Sequence, residues 1–173
     1  MNIKLLIIKL SLLISITSYG ILDKAHYFID SAEDGDAESQ YMMGVFFYNG
    51  TEGAQKNKKE AVAWYNKAAK QGHVNAQFNL GLCYDIGDGV IENDKKAVYW
   101  YNKAAKQGHA KAQNNLAGMY ALGEGVKKDN IKAYAFYLNA KHNGYKVPKK
   151  IIDSLNLTHS QKEKGQELAE KLF

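Results

Sequence analysis

Arginine is absent: all 23 basic residues among the 173 are lysine. Readers of nucleic acid rely on arginine for bidentate contacts to guanine and phosphate, so no nucleic-acid partner is expected. The 18 acidic residues leave a formal charge of +5, and two of the lysines, Lys4 and Lys9, stand in the first twenty residues. The others are spread through the chain rather than gathered into a basic block. Cysteine is nearly absent too. Cys83 stands alone, which excludes an internal disulfide. Long hydrophobic runs are also missing: the longest uncharged stretch, Leu10 to Leu22, is too short and too polar to span a bilayer. No stable membrane insertion is therefore expected.

Motifs for chemistry are equally scarce. Gly87-x-Gly89 lacks the third glycine and the preceding strand of a dinucleotide fingerprint. His73 and His109 occupy equivalent places at helix ends, with no second histidine four residues on and no neighbouring cysteine, and ligands one repeat apart seldom converge on one ion. Glu92, Asp94, Glu124 and Asp129 lie near turns, where they read as helix-start charges and solvated loop rather than as an acid/base pair. No catalytic residue, cofactor or metal is expected.

What the chain does have is a repeat. Lys58 to His73 (KKEAVAWYNKAAKQGH) returns at Lys95 to His109 (KKAVYWYNKAAKQGH), and Ala76 to Val90 (AQFNLGLCYDIGDGV) returns at Ala112 to Val126 (AQNNLAGMYALGEGV), both at a spacing of 36. A degraded copy of the second block, SQYMMGVFFYNG, stands upstream at Ser39 to Gly50. Each block has helical periodicity: Ala76, Leu80 and Tyr84 lie four apart, and Ala97, Tyr101, Ala104 and Ala105 share one face. The unit is a helical hairpin. Glycines such as Gly87 and Gly123 sit where the first helix must end. Gly44 and Gly81, inside first helices, cost about 1 kcal/mol of helix propensity each, which predicts a close approach by the partner helix. The third repeat departs here, with Ala117-Gly118. Cys83 aligns with Met119 and Phe46, as a small buried hydrophobe would.

The pattern A-x-x-x-L-G-x-x-Y-x-x-G-x-G-V followed by K-A-x-x-W-Y-x-K-A-A-x-Q-G resembles the Sel-one-like repeat family, relatives of the tetratricopeptide repeats. Here it is carried by Ala76, Leu80, Gly81, Tyr84, Gly87, Gly89 and Val90, then Ala97, Trp100, Tyr101, Ala104, Ala105 and Gly108. The resemblance implies an all-α fold, a right-handed α-solenoid of helical hairpins, with three repeats at about 36–72, 73–108 and 109–144. It also implies an adaptor or scaffold that binds a protein or peptide in a concave groove, in signalling, envelope or host-interaction complexes. A narrower form of this is neutralisation of a secreted toxin. Some cysteine-rich relatives are described as binding or hydrolysing β-lactams, but this chain lacks their cysteines and any S-x-x-K nucleophile motif. A purely structural role is the remaining alternative.

The flanks differ from the repeats. Residues 1–20 combine a charged start, an apolar middle and the small residues Ser18 and Gly20, which predicts a signal peptide and an exported product, periplasmic or secreted. Residues 21–35 match a second helix whose partner is missing, with Ala25, Phe28, Ile29 and Ala32 on one face, and predict an N-terminal cap. The first hairpin turn carries one extra residue, within Gly50 to Gly53. Residues 145–173 predict C-terminal capping helices. Pro148 suits a first helical turn, Ile151, Ile152 and Leu155 can bury one side, Thr158 to Gln161 resembles a capping box, and Leu168 and Leu172 form a stripe.

Recognition is expected on the first helices, because on the tetratricopeptide analogy their free faces line the groove. By alignment these positions are Glu38, Tyr41, Val45 and Tyr48, then Asn75, Phe78, Leu82 and Asp85, then Lys111, Asn114, Gly118 and Ala121. They vary between repeats, whereas Trp64, Tyr65, Trp100 and Tyr101 recur and are expected to pack repeat against repeat.

Overall fold

The structure, a computed structural model, describes residues 27–172. The expected signal segment, 1–20, and the first part of the expected capping helix, 21–26, lie outside the described residues. Those described are helix and turn throughout, in the all-α class expected from the repeats. Helix α1 covers 27–33. Three hairpins follow, each made of a first (A) and a second (B) helix of 13 residues: α2 Ala37–Asn49 with α3 Lys58–Lys70, α4 Val74–Ile86 with α5 Asp94–Lys106, and α6 Ala110–Leu122 with α7 Asn130–His142. The short α8, Lys149–Asp153, and α9, His159–Leu172, complete the order. The chain divides into two compact units between Ala76 and Gln77.

Local sequence explains where each helix starts and stops. Every B helix opens on a short polar side chain: Asn57, Asn93 and Asp129 accept from the backbone N–H of Glu60, Lys96 and Lys132 at 3.1, 3.0 and 3.0 Å, satisfying a donor that the helix itself leaves free. The same residues tie the hairpin shut, since their own N–H groups donate to Phe47, Tyr84 and Tyr120 carbonyls, each at 2.8 Å. The first turn spans one residue more between these anchors, and takes it up with positive φ at Glu52 and Gly53.

In the first unit α2 packs on α3, burying Met43, Phe46 and Phe47 against Ala61, Trp64, Tyr65 and Ala68. Ile29 and Ala32 of α1 are buried, and the Phe28 ring meets Phe46 edge-on at 5.8 Å. In the second unit α5 packs on α6, α6 on α7, and α7 on α9. Alanines fill the closest contacts: Ala97, Ala104, Ala105, Ala112, Ala133 and Ala140 are wholly buried. Cys83 and Met119 are buried as expected, and so is Trp100.

The interior glycines have a specific cause. A Cβ on Gly44 would lie 2.5 Å from Cε1 of Tyr65, and one on Gly81 would lie 2.7 Å from Cδ1 of Tyr101. The close approach is thus made by a tyrosine ring of the B helix, lying flat where an A-helix side chain would stand. The end of the chain uses the same device. A Cβ on Gly165 would meet Tyr134 Cδ1 at 2.6 Å, so α9 approaches through Gly165 and Ala169, which are its buried residues. Leu168 and Leu172, which form the apolar stripe of this helix, are half-buried. The capping box is present: Thr158 N–H donates to Gln161 Oε1 at 2.9 Å, and Gln161 N–H to Thr158 Oγ1 at 3.3 Å.

These contacts give two glycines opposite responses to the same substitution. Gly81→Ala forces a methyl into the Tyr101 ring and is expected to lower stability by about 1–3 kcal/mol. Gly118→Ala meets nothing nearer than Tyr137 Oη at 3.9 Å, so improved helix propensity is expected to raise stability by up to about 1 kcal/mol. Urea unfolding of the two variants is the check, and shifts of the same sign would contradict the ring-on-glycine contact.

Candidate functional site

The free faces of the A helices carry the residues that vary between repeats, and each unit builds its own faces in the same way. In the first unit Glu38 and Asn75 are exposed, while Tyr41, Val45 and Tyr48 are half-buried. Tyr41 stacks on His73 at 4.5 Å and 21°, and leans on Tyr65 at 6.0 Å. Tyr48 lies against the same Tyr65 ring at 6.5 Å, with the Lys58 amine 5.7 Å from the centroid of the Tyr48 ring. In the second unit Phe78 repeats the role of Tyr41: it stacks on His109 at 4.5 Å and 26°, and leans on Tyr101 at 5.9 Å. Leu82 and Asp85 are half-buried, Lys111 is exposed, and Asn114 is half-buried with its amide 3.5 Å from Asn115 Oδ1. Gly118 and Ala121, also half-buried, present almost no side chain.

Behind the first A-helix face of the second unit stands Tyr101 of the B helix. Tyr101 Oη donates to Asp85 at 2.9 Å and accepts from Asn115 Nδ2 at 3.0 Å. Burial holds its hydroxyl far above the ordinary tyrosine range, with the Asp85 charge working in the same direction. It is therefore a neutral hydrogen-bonding strut at physiological pH.

The histidines have a role that sequence reasoning did not assign. Both cap an A helix. His73 Nδ1 accepts from Ala76 N–H, and His109 Nδ1 accepts from Ala112 N–H, each at 3.1 Å. An accepting Nδ1 is unprotonated, so the neutral ring carries its proton on Nε2, and in His73 that group donates to Glu38 Oε2 at 2.9 Å. Asp36 does the same work for α2, accepting from Ser39 N–H at 2.7 Å. Hydrogen bonds from the Ser39 hydroxyl and N–H hold the Asp36 carboxyl below the usual carboxylate range. One place in the repeat thus takes Asp, His and His, and in the two histidine cases the cap also supports the aromatic ring that faces outward. At His109 burial, reinforced by the Lys111 charge, lowers the pKa below 6.5.

A second feature was also missed. Gln40, Gln77 and Gln113 are buried, and their side-chain oxygens accept from Gln71, Gln107 and Asn143 at 2.8, 2.8 and 2.9 Å. Gln40 and Gln113 also donate to the Ala32 and Ala105 carbonyls, each at 3.1 Å. The signal was in the sequence, as a Gln after Ser39, Ala76 and Ala112 and an amide before Gly72, Gly108 and Gly144.

The sequence model of the Sel1 repeat matches residues 37–73, 74–109 and 110–145. A Sel1 repeat protein from Oxalobacter formigenes is 40% identical, with a TM-score of 0.62, over 64% of this chain and 45% of its own. This chain therefore spans less than half the length of that protein. Cysteine rich protein B of Helicobacter pylori is 20% identical, with a TM-score of 0.55, over 70% of this chain and 92% of its own, a likeness of fold. No curated protein matches.

The cap geometry has a pH consequence at His109. The folded state favours the neutral ring, whereas the unfolded chain takes up a proton as the pH falls below about 6.5. The stability His109 contributes is thus full above about pH 6.5 and lost as the pH drops from there through the lower folded-state pKa. Asparagine caps well and does not titrate, so the melting temperature of His109→Asn is expected to fall less than that of the parent between about pH 7 and 5. Equal declines would contradict the assignment.

Proposed function

This chain belongs to the Sel1 repeat family, and from that premise we propose that it is an exported, non-enzymatic interaction module that holds a protein or peptide on the free faces of its A helices. Proteins of this repeat generally mediate protein–protein interaction, and the fold is typically without catalysis. The observation that carries the A-helix assignment is a contrast between constant and variable positions. The residues under the surface hardly change from repeat to repeat: Gly44 and Gly81, Tyr65 and Tyr101, Ala61 and Ala97. Those on it read Glu38, Asn75, Lys111 at one register and Tyr41, Phe78, Asn114 at the next. A frame that is held fixed while its outward residues differ is suited to recognition.

The chemistry of the partner follows from these faces. Tyr41 and Phe78 are held in place by the histidines they stack on, so little freedom is lost when a ligand covers them. Within each unit a half-exposed ring, Tyr41 with Val45 and Tyr48 on its helix or Phe78 with Leu82 on its helix, suits an apolar or aromatic side chain. Charge is present on the A-helix faces of each unit, as Glu38 in the first and as Asp85 and Lys111 in the second. Export rests on residues 1–20, and N-terminal sequencing of the product from its native host tests it; a protein that retains Met1 would remove that part of the proposal.

With a partner recovered by affinity capture from the native host and identified by mass spectrometry, Tyr41→Ala, Tyr48→Ala and Phe78→Ala are expected to weaken binding, by about 2 kcal/mol at the strongest site. Tyr99, which is 53% exposed on the B helix α5, is the comparison: Tyr99→Ala is expected to bind as the parent does. Since Tyr41 and Phe78 also touch the histidine caps, each variant is melted first and titrated well below its transition. Unchanged affinity in all three A-helix variants would refute this placement of the binding face.

A further inference from the structure

The hairpin turn of the third repeat keeps the frame of the second but not its charge. From Val90 to Lys96 the second repeat reads Val-Ile-Glu-Asn-Asp-Lys-Lys, two acids against two lysines. From Val126 to Lys132 the third reads Val-Lys-Lys-Asp-Asn-Ile-Lys, three lysines against one acid. The two turns are anchored alike, by Asn93 N–H on the Tyr84 carbonyl and Asp129 N–H on the Tyr120 carbonyl, both at 2.8 Å. A Cβ added to Gly87 would meet Glu92 Cβ at 3.4 Å, and one added to Gly123 would meet Lys128 Cβ at 3.3 Å. Lys128 therefore stands where Glu92 stands, on an equivalent backbone.

Beside this turn lies a recess of about 620 Å³. One wall is formed by Tyr120 and Ile131, the other by Leu157 in the connection that leads into α9. That connection follows α8, a helix of five residues where the A helices have 13, so the chain turns back early and leaves the recess beside the start of α7. Lys127, Lys128 and Lys132 line it and are exposed. The acid among them, Asp129, is engaged as the cap of α7. Among the described residues, no side-chain ion pair uses Lys127, Lys128 or Lys132. Apolar surface is available as well, because Ile131 and Leu157 are only half-buried, and the Lys132 amine sits 5.3 Å over the Tyr120 ring.

We propose that this recess docks an acidic peptide segment of a partner protein, one that carries carboxylates beside a branched apolar side chain. The carboxylates meet the amines of Lys127 and Lys128, and the apolar side chain covers Ile131 and Leu157. A volume of this order suits a few side chains rather than a folded surface. Lysine offers a compact charge on a flexible stem, which suits carboxylates presented by an extended strand. The recess is separate from the A-helix faces, and docking there does not depend on their role.

The test uses fluorescence polarisation of the full chain with a labelled peptide of alternating Glu and Leu, and with two matched peptides, one with Gln for Glu and one with Ser for Leu. The parent is expected to bind the Glu/Leu peptide and to bind each matched peptide at least about tenfold more weakly. Lys127→Gln with Lys128→Gln is expected to lose at least about tenfold, and so is Leu157→Ala, while Lys103→Gln with Lys106→Gln on α5 removes the same charge and stays within about twofold. Circular dichroism confirms that each variant is folded. Equal losses in the two lysine pairs would mean general attraction to a basic protein and would overturn the proposal, as would the absence of binding by the parent.

Discussion

A tyrosine ring lying on a helix that has no side chain beneath it sets the spacing of the hairpin. Tyr65 rests on Gly44 and Tyr101 on Gly81. Glycine inside a helix costs about 1 kcal/mol, and burying the ring against the bare backbone offsets that cost many times over in apolar contact. Because the ring takes the place of a side chain, its hydroxyl reaches past the A helix. Tyr101 Oη thereby joins Asp85 to Asn115, residues of α4 and α6, through one atom of α5. The ring edge also becomes the support on which Tyr41 or Phe78 leans. In the third repeat Ala117 takes the glycine place, and the bare position moves one residue on to Gly118, near Tyr137 Oη.

At the other end of each hairpin the fixed element is polar. Gln113 is wholly buried, yet it donates to the Ala105 carbonyl and accepts from Asn143. An amide placed so deep is tolerable because both of its ends are satisfied. Since its partners lie on the preceding and following B-helix ends, a shift of one hairpin along the next would leave a buried amide unpaired. Apolar packing alone, rich in small buried alanines here, would resist such a shift less.

The sequence carried the fold almost completely, because a period of 36 with glycine at fixed places leaves few architectures open. The extra residue of the first turn and the burial of Cys83 follow from alignment of the copies, and the capping box at Thr158 from its own motif. What escaped was of one kind. His73 and His109 were weighed as metal ligands and set aside, but alignment alone does not show that an imidazole nitrogen takes the place of the Asp36 carboxylate as a helix cap. The amide pairs escaped because Gln40 and Gln71 are 31 residues apart, and only the folded hairpin brings them together. On the candidate surface the twelve positions come from alignment alone, which does not reveal the support of Tyr41 and Phe78 by histidine.

The division between constant interior and variable A-helix face is the central claim, and its most direct measurement is site-specific photocrosslinking in the native host. A photoreactive phenylalanine placed at Val45 or Leu82 stands on the A-helix faces, whereas at Ala63 or Lys95 it stands on the exposed side of a B helix. Crosslinks to one partner protein from Val45 and Leu82, and none to it from Ala63 and Lys95, are the expected result. A partner captured from Ala63 or Lys95 and never from Val45 or Leu82 would contradict it.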